Sequence, residues 1–303
     1  MTLFGVIPVR KPAGLTSHDV VVKLRRLTGQ RRVGHTGTLD PAVEGVLPIC
    51  VGQATRIAEY IQDLPKRYAG SMLLGVSTDT QDQTGEILRE MPVAELDSSR
   101  VDEVFQRFLG EIEQVPPMVS AVRVGGRRLY EWAREGKEVP RKPRRVRIYE
   151  LRRTGMEREG DRVRIDFEVL CSKGTYVRTL CVDIGESLGY PAHMSRLVRV
   201  QSGPFFLQDA VTLEELDEVA RHGNWEQVLI SPDAALGHLP GLVVSASLQQ
   251  GVWNGMSLRL EKPLDTQAVG RLFRVYTDEG AFCALYRLSA PDIARPEKVF
   301  RNG

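Results

Sequence analysis

Residues Val163-Arg164-Ile165-Asp166-Phe167-Glu168-Val169 alternate strictly between apolar and charged side chains. A side-chain period of two marks a strand with one buried and one wet face, with Val163, Ile165, Phe167 and Val169 inward. The period then changes. Cys171-Ser172-Lys173-Gly174-Thr175-Tyr176 turns the chain, and Val177, Leu180, Cys181, Ile184 and Leu188 recur at helical spacing until Gly189. Such a switch requires a sheet covered by helices, so the body of the chain is of mixed α and β structure.

The rest of the 303 residues fits that frame. Ser17 is placed to cap a helix carrying Val20, Val21, Leu24 and Leu27, stopped by Gly29. Val46–Val51 and Tyr68–Leu74 read as strands, with a helix through Ile57, Ala58 and Ile61 between them. Thr78–Gly85 is a polar loop, Ser98 or Ser99 opens a helix reaching Leu109, and Thr212 with Glu215 forms a capping box. Beyond Gly237 short alternating stretches follow, at Leu242–Val244, Ser257–Leu260, Leu272–Tyr276 and Phe282–Arg287. They predict a small appended β-barrel.

Composition excludes several classes. The apolar and charged fractions, 42% and 26%, are those of an ordinary soluble protein, and no segment approaches the ~18 apolar residues of a membrane span. Met1–Pro8 lacks the basic start and cleavage site of a secretory signal, so cytoplasmic residence is expected. Cys50, Cys171, Cys181 and Cys283 show no metal or disulfide spacing and read as small buried residues. The five histidines form no metal-binding pair. Net charge is +2, but residues 123–153 hold twelve Lys or Arg against four Glu, so the remainder carries −6. That imbalance is too one-sided for internal pairing and points to a polyanion. Gly125-Gly126 makes a hairpin turn there, Leu129–Arg134 a short helix and Val139–Arg145 an extended loop, all projecting from the core.

Candidate chemistry gathers in four places. Gly34-His35-Thr36-Gly37-Thr38-Leu39-Asp40-Pro41 combines permissive glycines, hydroxyls able to tie local amides, and a proline that extends Asp40. Asp before Pro is ordinary turn chemistry, yet a carboxylate held so rigidly also suits a nucleophile. Lys66-Arg67-Tyr68 offers a phenol that is either a packed aromatic or a reacting group. Ser172–Arg178 puts Lys173 and Arg178 at a helix start, a plausible phosphate or carboxylate site without Walker spacing. Arg196–Val200 reads as an edge strand or an RNA-facing ledge. Among these, an ion pair between Arg178 and Asp40 is expected, because a guanidinium keeps a carboxylate charged and oriented where water is scarce. If the pair is buried, breaking it by removing Arg178 costs about 3–5 kcal/mol.

Lys11-Pro12 with Gly14, Thr16 and Ser17, the Gly34–Pro41 run with Gly45-Val46-Leu47-Pro48, and Lys66-Arg67-Tyr68 resemble the bacterial TruB family of tRNA pseudouridine synthases. So do Pro116-Pro117-Met118 with Ser120-Ala121, the Cys171–Leu180 run, and Arg199 with Gly203-Pro204-Phe205. The resemblance runs in order from about residue 5 to 207, and the tail is similar to the RNA-binding PUA barrel. It implies an α+β pseudouridine synthase fold: a mixed, largely antiparallel central sheet flanked by helices. Residues 1–236 would be catalytic, with a basic thumb-like insertion at about 123–147, and 237–303 PUA-like. The implied reaction converts uridine to pseudouridine at conventional position 55 of the tRNA T loop, without cofactor, metal or guide RNA, by a monomer. By position Asp40 would be the nucleophile, Arg178 its partner and Tyr68 the group stacked on a flipped uracil. Tyr176 and Leu197 would shape the uracil pocket, His35 would fill vacated space, Asp82 would meet a splayed nucleotide, and Lys173 a phosphate. Glu44 and Val119 depart from the family's more frequent Thr and Tyr. The guide-RNA-dependent relatives share the Thr-Gly-Thr-Leu-Asp-Pro core, but that class lacks the long basic insertion. A tRNA-folding chaperone would not need Asp40, and a glycoside hydrolase would need a second acid.

Overall fold

The computed structural model describes residues 3–260 and 262–300. Its body is one mixed sheet in the order Gly5–Lys11, Glu44–Val51, Ala192–Ser202, Lys66–Leu74, Arg162–Cys171, Arg144–Glu159, Gly110–Gln114. Neighbours run antiparallel except where Val198 and Arg199 lie parallel to Glu44 and Gly45. Arg162–Cys171 buries alternate residues as its period requires, with Val163, Ile165, Phe167 and Val169 against the helices. Helices Ser17–Thr28, Ser98–Arg107 and Val177–Leu188 carry their apolar stripes onto this sheet. Fully burying side chains such as Leu24 or Phe105 contributes about 1.5–3 kcal/mol each.

The Ala192–Ser202 strand is central, which corrects the edge reading of Arg196–Val200. The reason is the close parallel approach at Gly45, where φ is 137° and a β-carbon would lie 2.4 Å from the Arg199 carbonyl oxygen. One helix cap differs from expectation: Thr16, not Ser17, is the cap, in a reciprocal box with Asp19. Ser98 opens Ser98–Arg107 as expected, with Asp97 as its cap. Ile57 closes a 3-10 turn, Gly52–Ile57, before the helix Ala58–Gln62.

The hairpin Arg123–Val124 with Arg127–Arg128 and the helix Leu129–Arg134 form as expected. The excursion closes at residue 143, because Arg144 and Arg145 pair with Gln114 and Glu113 in the main sheet. The C-terminal part is a curled half-barrel of five strands among the described residues, rather than a closed barrel. Its edges, Gly241–Val243 and Leu258–Arg259, pair inward only. Two elements there carried no clear sequence signal, the helix Ala246–Trp253 and the strand Ile293–Val299. This part is cemented to the body by Phe282, Leu285 and Phe300 packing on Phe4, Val6, Cys50 and Ile57. Among the described residues, no helix is long and apolar enough to cross a membrane.

Candidate active site

The loop carrying Asp40 connects Val33–His35 to Glu44–Val51, which pair antiparallel. Its two flanking residues are clamped. The Leu39 N–H donates to Ser17 Oγ at 2.8 Å, and Ser17 Oγ donates back to the Leu39 carbonyl at 3.2 Å. On the other side, the Pro41 carbonyl accepts from the Gly14 N–H at 2.9 Å and from Lys11 Nζ at 3.3 Å. Lys11 is fully buried and also donates to the Pro12 and Leu15 carbonyls. Burial pulls its ammonium down to about 8, against the opposing charges of Asp40 and Glu44. Thr36 and Thr38, expected to tie local amides, do not: Thr36 Oγ1 donates to the Pro48 carbonyl, and Ser17 supplies the tie. Gly37 takes a positive φ of 143°, whereas Gly34 lies in a strand.

Asp40 itself reaches into a cleft. Arg178 Nη2 lies 3.1 Å from Asp40 Oδ2, so the expected pair forms. Burial is one-sided: the Arg178 side chain is 5% exposed and that of Asp40 45%. The pair as a whole is not buried, so the cost reasoned for a buried pair does not apply. Arg178 also donates to the Thr80 carbonyl at 2.9 Å and the Val119 carbonyl at 2.7 Å, which satisfies its buried face. The Thr80 carbonyl is presented by a turn in which Gln81 holds a left-handed φ of 63°, a strained state for a side-chain-bearing residue. Val119 contributes its backbone, so its departure from Tyr leaves this contact untouched.

A cavity of about 290 Å³ opens beside the pair, a size suited to one small ring system. Its wall includes Asp40, Tyr68, Lys173, Tyr176, Arg178 and Leu197. Leu197 stands opposite Gly70 in the neighbouring strand, where any β-carbon would come within 2.9 Å of it. Tyr176 precedes its helix with both backbone groups bound by the Gln114 amide, which fixes where its ring begins. Burial raises the Tyr68 phenol, opposed by the nearby Arg199 guanidinium, so the hydroxyl stays protonated at neutral pH. Lys173 sits in the wall as an exposed partner of Asp63 at 2.6 Å.

His35 lines an adjoining, larger cavity of about 980 Å³ with Asp40, Arg123, Arg128, Tyr130 and Arg134. Burial lowers its imidazole, with Arg199 and His18 adding to the effect, and Nδ1 accepts from the Gly37 N–H. The ring is neutral at pH 7. Asp82 is the exception: it lines neither cavity. Its carboxylate accepts from Thr80 and Thr84 within its own turn and lies 3.9 Å from Arg178. Asp82 thus shapes the turn behind Arg178 instead of facing the cleft.

Sequence reasoning named Arg199 only within a motif and gave it no role. It is 1% exposed and donates to the Val46 carbonyl at 2.9 Å and the Gly37 carbonyl at 3.1 Å, which ties the Asp40 loop to the sheet. The signal available was a charged residue inside an apolar run, which reads equally well as a wet edge. All four cysteines are buried, and burial pushes the Cys50 thiol up to about 12. Among the described residues, no three His, Cys, Asp or Glu side chains are grouped to hold a metal ion.

Known proteins are similar to this chain along nearly its whole length. The tRNA pseudouridine synthase B of Geobacillus thermodenitrificans is 50% identical, covering 98% of this chain and 99% of its own. That of Bacillus subtilis is 46% identical, covering 97% of each. A chain in the solved structure of an H/ACA RNP bound to a substrate RNA containing 2′-deoxyuridine superposes with a TM-score of 0.74. It is 26% identical, over 98% of this chain and 85% of that one. The TruB family pseudouridylate synthase N-terminal domain matches residues 25–177, and the tRNA pseudouridylate synthase B C-terminal domain matches 178–236. The two matches meet between Val177 and Arg178, so the Asp40 loop falls in one and its guanidinium partner in the other, and the chain belongs to the TruB family of pseudouridylate synthases.

Proposed function

We propose that this enzyme converts uridine 55 of the tRNA T loop to pseudouridine, acting as a monomer on free tRNA without a guide RNA. One observation carries the reading: a carboxylate held 3.1 Å from a buried guanidinium, in the wall of a ring-sized cavity that also contains Tyr68. A uracil inside a folded loop is stacked and out of reach, so the target nucleotide is flipped into this cavity. Asp40 acts as nucleophile while Arg178 holds its orientation. The N1–C1′ bond breaks, the base turns, and a C5–C1′ bond forms; the C5 proton departs and N1 gains one, so substrate and product are isomers. Tyr68 stacks on the uracil and, as a protonated phenol, is available to the closing proton transfer. Leu197 and Tyr176 bound the pocket, Lys173 meets the backbone phosphate, and neutral His35 fills space left by the extruded base.

The basic insertion closes over the phosphate backbone, which suits an enzyme that positions its own substrate. Residues 1–236 form the catalytic unit and 237–303 a PUA-like RNA-binding unit; the family matches ending at residue 236 support that division. The test is tritium release from tRNA labelled at uracil C5, using purified protein alone. One equivalent per tRNA is expected, and none from a transcript with cytidine at position 55. No release until a guide RNA is added would overturn the reading.

A further inference from the structure

Four buried side-chain polar atoms among the described residues have no hydrogen-bond partner: Gln30 Nε2, Ser120 Oγ, Ser195 Oγ and Ser202 Oγ. Buried polar groups are almost always paired, so each orphan asks for a cause. Ser120 alone of the four forms part of the active-site wall, and it borders both the smaller and the larger cavity. The residue is 7% exposed. Its backbone is fully used: the N–H donates to the Met118 carbonyl at 3.0 Å, and the carbonyl accepts from the Tyr130 N–H at 3.1 Å. Its surroundings are pinned as well, since Arg141 Nη1 holds the Pro116 carbonyl and Arg178 Nη2 the Val119 carbonyl. Its hydroxyl is the buried side-chain group of this segment left without a partner.

We propose that Ser120 is a substrate-positioning residue whose hydroxyl bonds the sugar–phosphate backbone of the nucleotide seated in the active-site cavity. This rests on the reading that a flipped uridine is the substrate. A base lodged beside Asp40 and Tyr68, with its chain continuing toward Arg123, Arg128 and Arg134, carries its ribose and phosphate past the wall the two cavities share. A serine hydroxyl donates and accepts, so it serves a phosphate oxygen or a ribose hydroxyl. A turn about χ1 from one staggered well to another re-aims it without moving the pinned backbone.

The experiment compares wild type, Ser120→Ala and Ser202→Ala, the last removing an equally unpartnered hydroxyl outside both cavities. Tritium release gives kcat and KM, and thermal unfolding gives Tm. Ser120→Ala is expected to lower kcat/KM by about ten- to hundred-fold with Tm unchanged or raised, because the free protein loses only an unsatisfied group. Ser202→Ala keeps wild-type kcat/KM. Repeating the assay with 2′-deoxyuridine at the target separates the two sources. A penalty that disappears assigns the bond to the ribose hydroxyl, and one that persists assigns it to phosphate. Unchanged kcat/KM in Ser120→Ala overturns the proposal, as does a loss of activity accompanied by a fall in Tm. A wild type that releases no tritium overturns the substrate reading, and this inference with it.

Discussion

The Asp40 loop and the basic insertion are both irregular and both border the same cleft, yet they are held by opposite means. Around Asp40 the clamps are buried donors on backbone carbonyls: Lys11 at 0% exposure, Arg199 at 1%, and Ser17. Of residues 123–143, only Leu129 is buried. That segment is held by surface pairs, Lys137 with Glu135 at 3.1 Å and Arg141 with Glu138 at 2.7 Å, and by Arg127 lying 4.2 Å over Trp132. Exposed pairs contribute about 0–1 kcal/mol, whereas hydrogen bonds from a buried charged donor contribute about 1.5–3 kcal/mol each. The contrast suits the roles proposed above. Bond exchange at one atom would need a carboxylate fixed to a fraction of an ångström. Gripping a flexible polyanion would need charge on a surface that can adjust, with little stability of its own.

Four measurements bear on this contrast. Asp40→Asn is expected to abolish tritium release, a loss of at least about a thousand-fold, with tRNA affinity within a few-fold of wild type. Retained turnover would remove Asp40 from the mechanism. Next, Arg199→Met strips the loop of its tie to the sheet. A loss of about 3 kcal/mol in urea unfolding and a fall in kcat larger than any change in KM are expected. A variant as stable and active as wild type would show that the loop does not depend on its buried clamp.

Neutralising Arg123, Arg128 and Arg134 to Gln probes the other side of the contrast. Affinity for tRNA should fall about ten- to hundred-fold and the salt dependence flatten, with Tm nearly unchanged. A marked fall in Tm would make the insertion structural. The smallest effect concerns pH. The Lys11 ammonium sits near 8 in the folded chain, below its ordinary 10.5. Between those values the unfolded chain holds a proton that the folded one lacks, so Lys11 contributes increasing stability as pH rises from 8 to 10.5. The difference in unfolding free energy between wild type and Lys11→Met should grow over that window and stay flat below pH 7. A difference independent of pH would mean the ammonium is hydrated.

Local pattern carried much of this. The alternation at 163–169, the helix from Val177 to Gly189, the Gly125-Gly126 hairpin and the Thr212 box rest on neighbouring residues, and the structure has each where it was read. Asp40, Tyr68, Tyr176, Arg178, Leu197 and Lys173 were also named from motifs, and they meet at one cavity. Where local preference was shared between candidates, the reading slipped by a residue. Thr16 and Ser17 both suit a cap, and Ser17 was drawn away by Leu39, twenty-two residues distant in sequence.

Other features were decided by contacts between distant segments. Arg199 looks like surface from its neighbours, and becomes a buried clamp because Glu44–Val51 lies alongside its strand. Asp82 looks free to meet RNA, but its turn is docked behind Arg178, whose guanidinium donates to the Thr80 carbonyl and lies 3.9 Å from Asp82 Oδ2. The C-terminal strands could have closed or stayed open, and their edges remain apart. Side-chain period and turn chemistry act over a few residues, so the chain spells out its elements and its reactive groups. Which polar group ends up buried, and against what, depends on partners tens of residues or more away, and that was settled only when the sheet assembled.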